Sequence, residues 1–197
     1  PSRCRIEQRM PDDPPTTTAT GPLTGGAPRP FVPAALAVTG FEKCLGFLSR
    51  RGRARRVYRQ VQSQPVAIAP LDRVVAALDA LRAAGEDRNP EGRSEVLRLE
   101  CYLAWAFLER QSPVEAAGRL AALDRDSPEA PERWSLRWRL LEDVPLPGFN
   151  VLFRDQAILL LSDPQVARHG QAVWSVLARG HRHLSPSSWR MVLEGAC

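Results

Sequence analysis

Apolar side chains along this chain recur with the period of an α-helix and show no sustained alternation of the kind a half-buried strand needs. Leu71, Val74, Val75, Leu78 and Leu81 form one stripe at three- and four-residue spacing, and Val166, Val173, Trp174 and Leu177 form another. Over residues 93–110, Val96, Leu99, Leu103 and Phe107 line one face while Leu97, Cys101, Trp105 and Leu108 continue round it, so this helix is predicted to lie at the centre of the fold. The apolar run over 157–161 is read as part of a helix over 150–162 rather than as a buried strand. No apolar run in the chain approaches the ~20 residues that cross a bilayer, so no membrane span is predicted.

Punctuation agrees with this reading. Pro70, Pro90, Pro113, Pro131, Pro164 and Pro186 each stand where a first helical turn would begin, a position at which the missing proline N–H costs nothing. Ser112 with Glu115 has the spacing of a capping box, Ser185 is placed as an N-cap, and Gly85, Gly148 and Gly180 are predicted stops. The expectation is an all-α fold over residues 39–197, an array of antiparallel helix pairs. Residues 1–38 break the pattern, being rich in proline, threonine and glycine with almost no apolar periodicity. They are expected to form an extended tail that orders only against partner subunits.

Composition changes this picture in one respect. With 44% hydrophobic residues in 197, the chain can close a sizeable core without metals or disulfides. Cys4, Cys44, Cys101 and Cys197 have no metal-ligand or disulfide-framework spacing and are read as free thiols. The net charge is +5, however, and almost all the basic residues are arginine, Lys43 being the one lysine. Six of those arginines, Arg50, Arg51, Arg53, Arg55, Arg56 and Arg59, fall within residues 50–59, more positive charge than a core can use. A guanidinium fork binds phosphate bidentately, so the run reads as a phosphate track on a helix over 53–61, with Tyr58 available to stack on a base. At helical spacing Arg51, Arg55 and Arg59 share one face, which is expected to be open to solvent. Acidic groups on a neighbouring subunit, or water alone, are the rival partners for the same charge.

Two segments resemble the helical-hairpin repeats of the tetratricopeptide, pentatricopeptide and octotricopeptide kind. In residues 41–85, FEKCLGFLSRRGRARRVYRQV leads into APLDRVVAALDALRAAG; in residues 172–196, AVWSVLARGHRHLSPSSWRMVLEGA pairs a tryptophan-bearing helix with a Gly-His turn and a Ser-Pro start. The resemblance implies a stack of helix pairs with one concave surface for a ligand, a single RNA strand in some relatives and another protein in others. No base-reading residue is carried over.

The remaining polar constellations read as structural. Trp134 and Trp138, interleaved with Arg133, Arg137 and Arg139, could stack bases but fit better as a core stripe with Leu141, and Trp105, Trp174 and Trp189 are read as packing residues. His169, His181 and His183 match no zinc spacing. No nucleophile elbow, metalloprotease helix or phosphate loop occurs, so no enzyme and no cofactor are expected. The function expected is that of a non-catalytic RNA-contacting or structural subunit of a large organellar ribonucleoprotein, of the mitochondrial-ribosome kind, sited in the mitochondrial matrix or a plastid. Its partners are ribosomal RNA or an organellar transcript, together with neighbouring protein subunits. The alternative is a protein scaffold or accessory subunit of an organellar complex without RNA.

Overall fold

A computed structural model describes residues 31–33, 49–146 and 148–195. The described part is all-helical: α1 (Arg50–Gln62), α2 (Leu71–Ala83), α3 (Pro90–Glu109), α4 (Pro113–Asp126), α5 (Glu132–Asp143), α6 (Asn150–Leu161), α7 (Gly170–His181) and α8 (Pro186–Glu194), with 3₁₀ turns at Glu86–Arg88 and Pro164–Arg168. Most of the tail expected over 1–38, the start of the first repeat-like segment, Cys4, Cys44, Cys197 and Pro147 lie outside the described residues.

Helix starts follow the punctuation in most cases. Pro90, Pro113 and Pro186 occupy first-turn positions of α3, α4 and α8, and Pro164 opens the second 3₁₀ turn. Ser49, Asn89 and Ser185 accept hydrogen bonds from the amides of Gly52, Gly92 and Ser188, satisfying donors that the first helical turn leaves without partners. Pro70 and Pro131 stand one residue earlier, as caps of α2 and α5.

Two signals are corrected. The Ser112–Glu115 capping box does not form, because Ser112 also ends α3: its amide donates to Phe107 O at 2.8 Å across Gln111, which adopts φ +55°, and its hydroxyl makes no cap bond. Gly180 does not stop α7 but lies inside it, against α6. A Cβ at Gly180 would sit 2.0 Å from the buried ring of Phe153, so the missing side chain is what lets the two helices approach. Gly85 does act as predicted, closing α2 at φ +69° with its amide on Arg82 O.

The core falls into three clusters that follow the chain. Tyr58, Val61, Val74, Leu78, Leu81, Leu99 and Tyr102 join α1, α2 and α3; Cys101, Leu108, Ala116, Leu120, Leu123 and Leu136 join α3, α4 and α5; Trp134, Trp138, Phe153, Leu160, Val173, Leu177 and Val192 join α5, α6, α7 and α8. Successive helices from α1 to α7 pack on one another, and α1 with α3, α3 with α5, α4 with α6 and α6 with α8 also touch. The central position predicted for the helix over 93–110 is found, since α3 carries buried residues of two clusters on different faces. Trp134 and Trp138 are core residues, as expected, whereas Trp174 is 55% exposed. The stripe that α7 buries is Val173, Val176, Leu177 and Gly180, and Trp174 falls one helical step outside it.

Candidate nucleic-acid interface

The arginine run forms α1, three residues longer at its start than the helix predicted over 53–61. Ala54, Tyr58 and Val61 are its buried face, and this fixes where every arginine points. Arg51 and Arg55 flank the buried face and turn toward the start of α3. Arg51 Nε donates to Glu86 Oε2 at 2.8 Å, its Nη1 reaches Glu91 and its Nη2 donates to Asn89 Oδ1. Arg55 Nε donates to Glu95 Oε1 at 2.7 Å, and Glu95, which is buried, also receives Arg98 Nη1 at 3.0 Å. The hydrogen bond between Arg51 and Glu86 raises the guanidinium pKa and lowers that of the carboxyl.

These interactions correct part of the sequence reading. Arg51 and Arg55 were expected on an open face with Arg59; instead they are partly buried in ion pairs within the chain, on carboxylates 35 to 40 residues away. Tyr58, expected to meet a base, is 1% exposed and sits edge-on to Tyr102 at 5.5 Å between ring centres, with burial pushing its phenol up to about 12. A ring buried to this degree offers no open face for a base to stack on. Its position was legible: Tyr58 falls four residues after Ala54 and three before Val61, on the apolar stripe of an otherwise polar helix.

What remains on the outer face is Arg50, Arg53, Arg56 and Arg59, all exposed, beside Gln60. Arg53, Arg56 and Arg59 follow one another every third residue, about 4.5 Å apart along the axis. No acidic side chain lies anywhere on α1, so nothing on the helix itself balances this face. Helix and cations together present a convex ridge of donors to solvent, suited to oxygen-rich anions and to nothing that needs a pocket.

Elsewhere most arginines are spent inside the fold. Asp124 receives Arg133 and the buried Arg137, Arg133 also reaches Asp163, and Arg82 joins Glu100 and Asp126. Arg110 and Arg179 cap carbonyl oxygens of Val66 and Ala69, and of Leu141 and Val144. Among the described residues no group of three or more His, Cys, Asp or Glu is placed to hold a metal ion, and His169 stacks on Trp134 instead. A cleft of about 410 Å³ between α1, α3 and α5 is lined by Tyr58, Leu97, Cys101 and Glu132 and bordered by Phe31 and Val32 of the N-terminal segment. No helix of the described residues is long and apolar enough to cross a membrane. No family model, curated protein or solved structure matches this chain.

Proposed function

We propose that this chain is a non-catalytic helical subunit that docks on RNA through the outer face of α1. The observation that carries the proposal is the division of the arginine run. Two members are neutralised by Glu86, Glu91 and Glu95, while Arg50, Arg53 and Arg59 face outward from a helix without a single carboxylate. A surface of this kind recruits phosphate chains by releasing their condensed counterions. The net charge of +5 adds long-range attraction of the same sign. Such a surface positions an RNA without reading its sequence, which suits a structural member of a ribonucleoprotein, including one of the organellar kind that the repeat resemblance suggests.

The test is the binding of a fluorescein-labelled oligouridylate followed by anisotropy across a range of salt. Parent protein should bind with a steep loss of affinity as salt rises. The Arg53→Gln, Arg59→Gln double variant should bind more weakly, with the slope of log K against log salt reduced by about 0.7 for each phosphate no longer neutralised. Equal slopes for the two proteins would overturn the proposal. So would the absence of oligouridylate binding at low salt together with capture of an acidic protein by the same arginines.

A further inference from the structure

The far end of the molecule is poor in carboxylates. From Pro164 to Gly195 four arginines face one carboxylate, Glu194. Arg179 is spent on the carbonyl oxygens of Leu141 and Val144. Arg168, Arg182 and Arg190 are exposed, and none has an ion-pair partner among the described residues, in contrast to Arg51, Arg82, Arg133 and Arg137.

Two ring side chains of α7, Trp174 and His181, are exposed in the same stretch of chain. Trp174 leaves 55% of its surface in water, a cost that packing does not explain because Val173, Val176 and Leu177 already supply the buried face of α7. His181 lies seven residues further on, two turns along the same side of the helix and about 10 Å away along its axis. The ring of His181 meets that of Trp189, from α8, at 5.0 Å and 72°. Trp174 and His181 thus lie on one side of α7, and His181 leads on to the partly buried Trp189 of α8; Arg182 and Arg190 are the next residues in sequence after His181 and Trp189, and these rings form a broken aromatic strip.

The geometry points to this strip as a second docking site for the single-stranded RNA of the proposed function, one that stacks unpaired bases where α1 holds phosphates. Flat apolar rings set among cations that lack carboxylate partners match the two faces of a single strand, its bases and its backbone. A protein partner would need acidic groups for the arginines and an apolar surface for Trp174. A single strand supplies both complements at once, at every nucleotide. The inference rests on the RNA reading but uses different residues, so the two can fail separately.

The deciding experiment measures Trp174→Ala and Trp174→Phe against the parent with a fluorescein-labelled oligouridylate of about 16 nucleotides, and with inorganic polyphosphate, which has charge but no bases. Because Trp174 is exposed, both variants should unfold at the parent's denaturant midpoint. The alanine variant should raise the Kd for oligouridylate roughly 5- to 100-fold, the equivalent of one base left unstacked, with the salt slope unchanged. The phenylalanine variant should recover most of that affinity, and polyphosphate binding should not move. Unaltered oligouridylate affinity in Trp174→Ala, while Arg53→Gln, Arg59→Gln still lowers it, would overturn the strip and leave the α1 proposal standing. Equal weakening for oligouridylate and polyphosphate would overturn it too. So would a Trp174→Ala variant whose only change is the disappearance of concentration-dependent self-association in sedimentation.

Discussion

At the scale of single residues, the largest departures from the sequence reading come from side chains whose type is ambiguous. Glycine commonly ends helices, which makes Gly180 read as a terminator, but here its missing Cβ makes room for Phe153. Nothing local distinguishes the two uses; only the partner helix does. Gly180→Ala should therefore destabilise the protein by about 1–3 kcal/mol, since the buried Phe153 ring must shift within the core to admit a Cβ, and the change is readable in the urea midpoint. Gly85→Ala would also destabilise, but for a different reason: the site has open space around it and a backbone at φ +69°. Tyr58 and Trp174 depart from expectation in opposite senses, the first expected to be available and found buried, the second expected to be packed and found exposed. For Tyr58, the short stripe it makes with Ala54 and Val61 already held the answer. For Trp174, the width of α7's buried stripe decides the matter, and that width depends on how neighbouring helices press on α7.

At the scale of elements, helix positions were largely legible because apolar period and proline punctuation act locally, whereas ion pairs join residues far apart in sequence. No reading of residues 50–59 alone could show that Glu86, Glu91 and Glu95 would come round to meet two of the six arginines. The acidic start of α3 explains the pairing physically: Glu91 sits in its first turn, where the helix dipole favours negative charge, Glu95 follows one turn on, and the arginines of α1 are laid across them. The two sets of α1 arginines should then separate cleanly in stability. Arg51→Gln with Arg55→Gln should lower the denaturation midpoint clearly, from the removal of charge-assisted hydrogen bonds and a buried Glu95 left leaning on Arg98. Arg53→Gln with Arg59→Gln should leave the midpoint within about 0.5 kcal/mol of the parent, as expected of exposed surface. Equal costs for the two pairs would contradict the division of the helix into inner and outer faces.

At the scale of the whole molecule, arginine–carboxylate pairs tie successive helices together and make stability depend on pH in a definite sense. At Asp124 burial pushes the carboxyl up, but hydrogen bonds from Arg137 and Arg133 outweigh it and hold the group below its ordinary value of 3.8. Its contribution is thus complete above that value and lost as the pH falls through the lower, folded-state value. Glu100 runs the other way: burial raises its carboxyl above 4.5 despite Arg119 and Arg82, so ionising it costs stability above the raised value and costs nothing below 4.5. Acidification from neutrality should first relieve Glu100 and then, below 3.8, unpin Asp124. Asp124→Asn should lower stability at pH 7 by about 3 kcal/mol, because Arg137, 1% exposed, loses its carboxylate partner, and should flatten the acid limb of a plot of urea midpoint against pH. An unchanged acid limb would place the loss on other carboxylates. The sharing of α3 between two clusters has a further consequence, for the order in which the chain is built. All the buried side chains of the first cluster lie before residue 107, so α1, α2 and one face of α3 can close on each other while the later helices are still being synthesised. The opposite face of α3, with Leu108 and Cys101, then waits as an exposed apolar template on which α4 condenses as it emerges. The last cluster is complete only with Val192, the one buried residue of α8, so this part of the core stays open until α8 itself has left the ribosome.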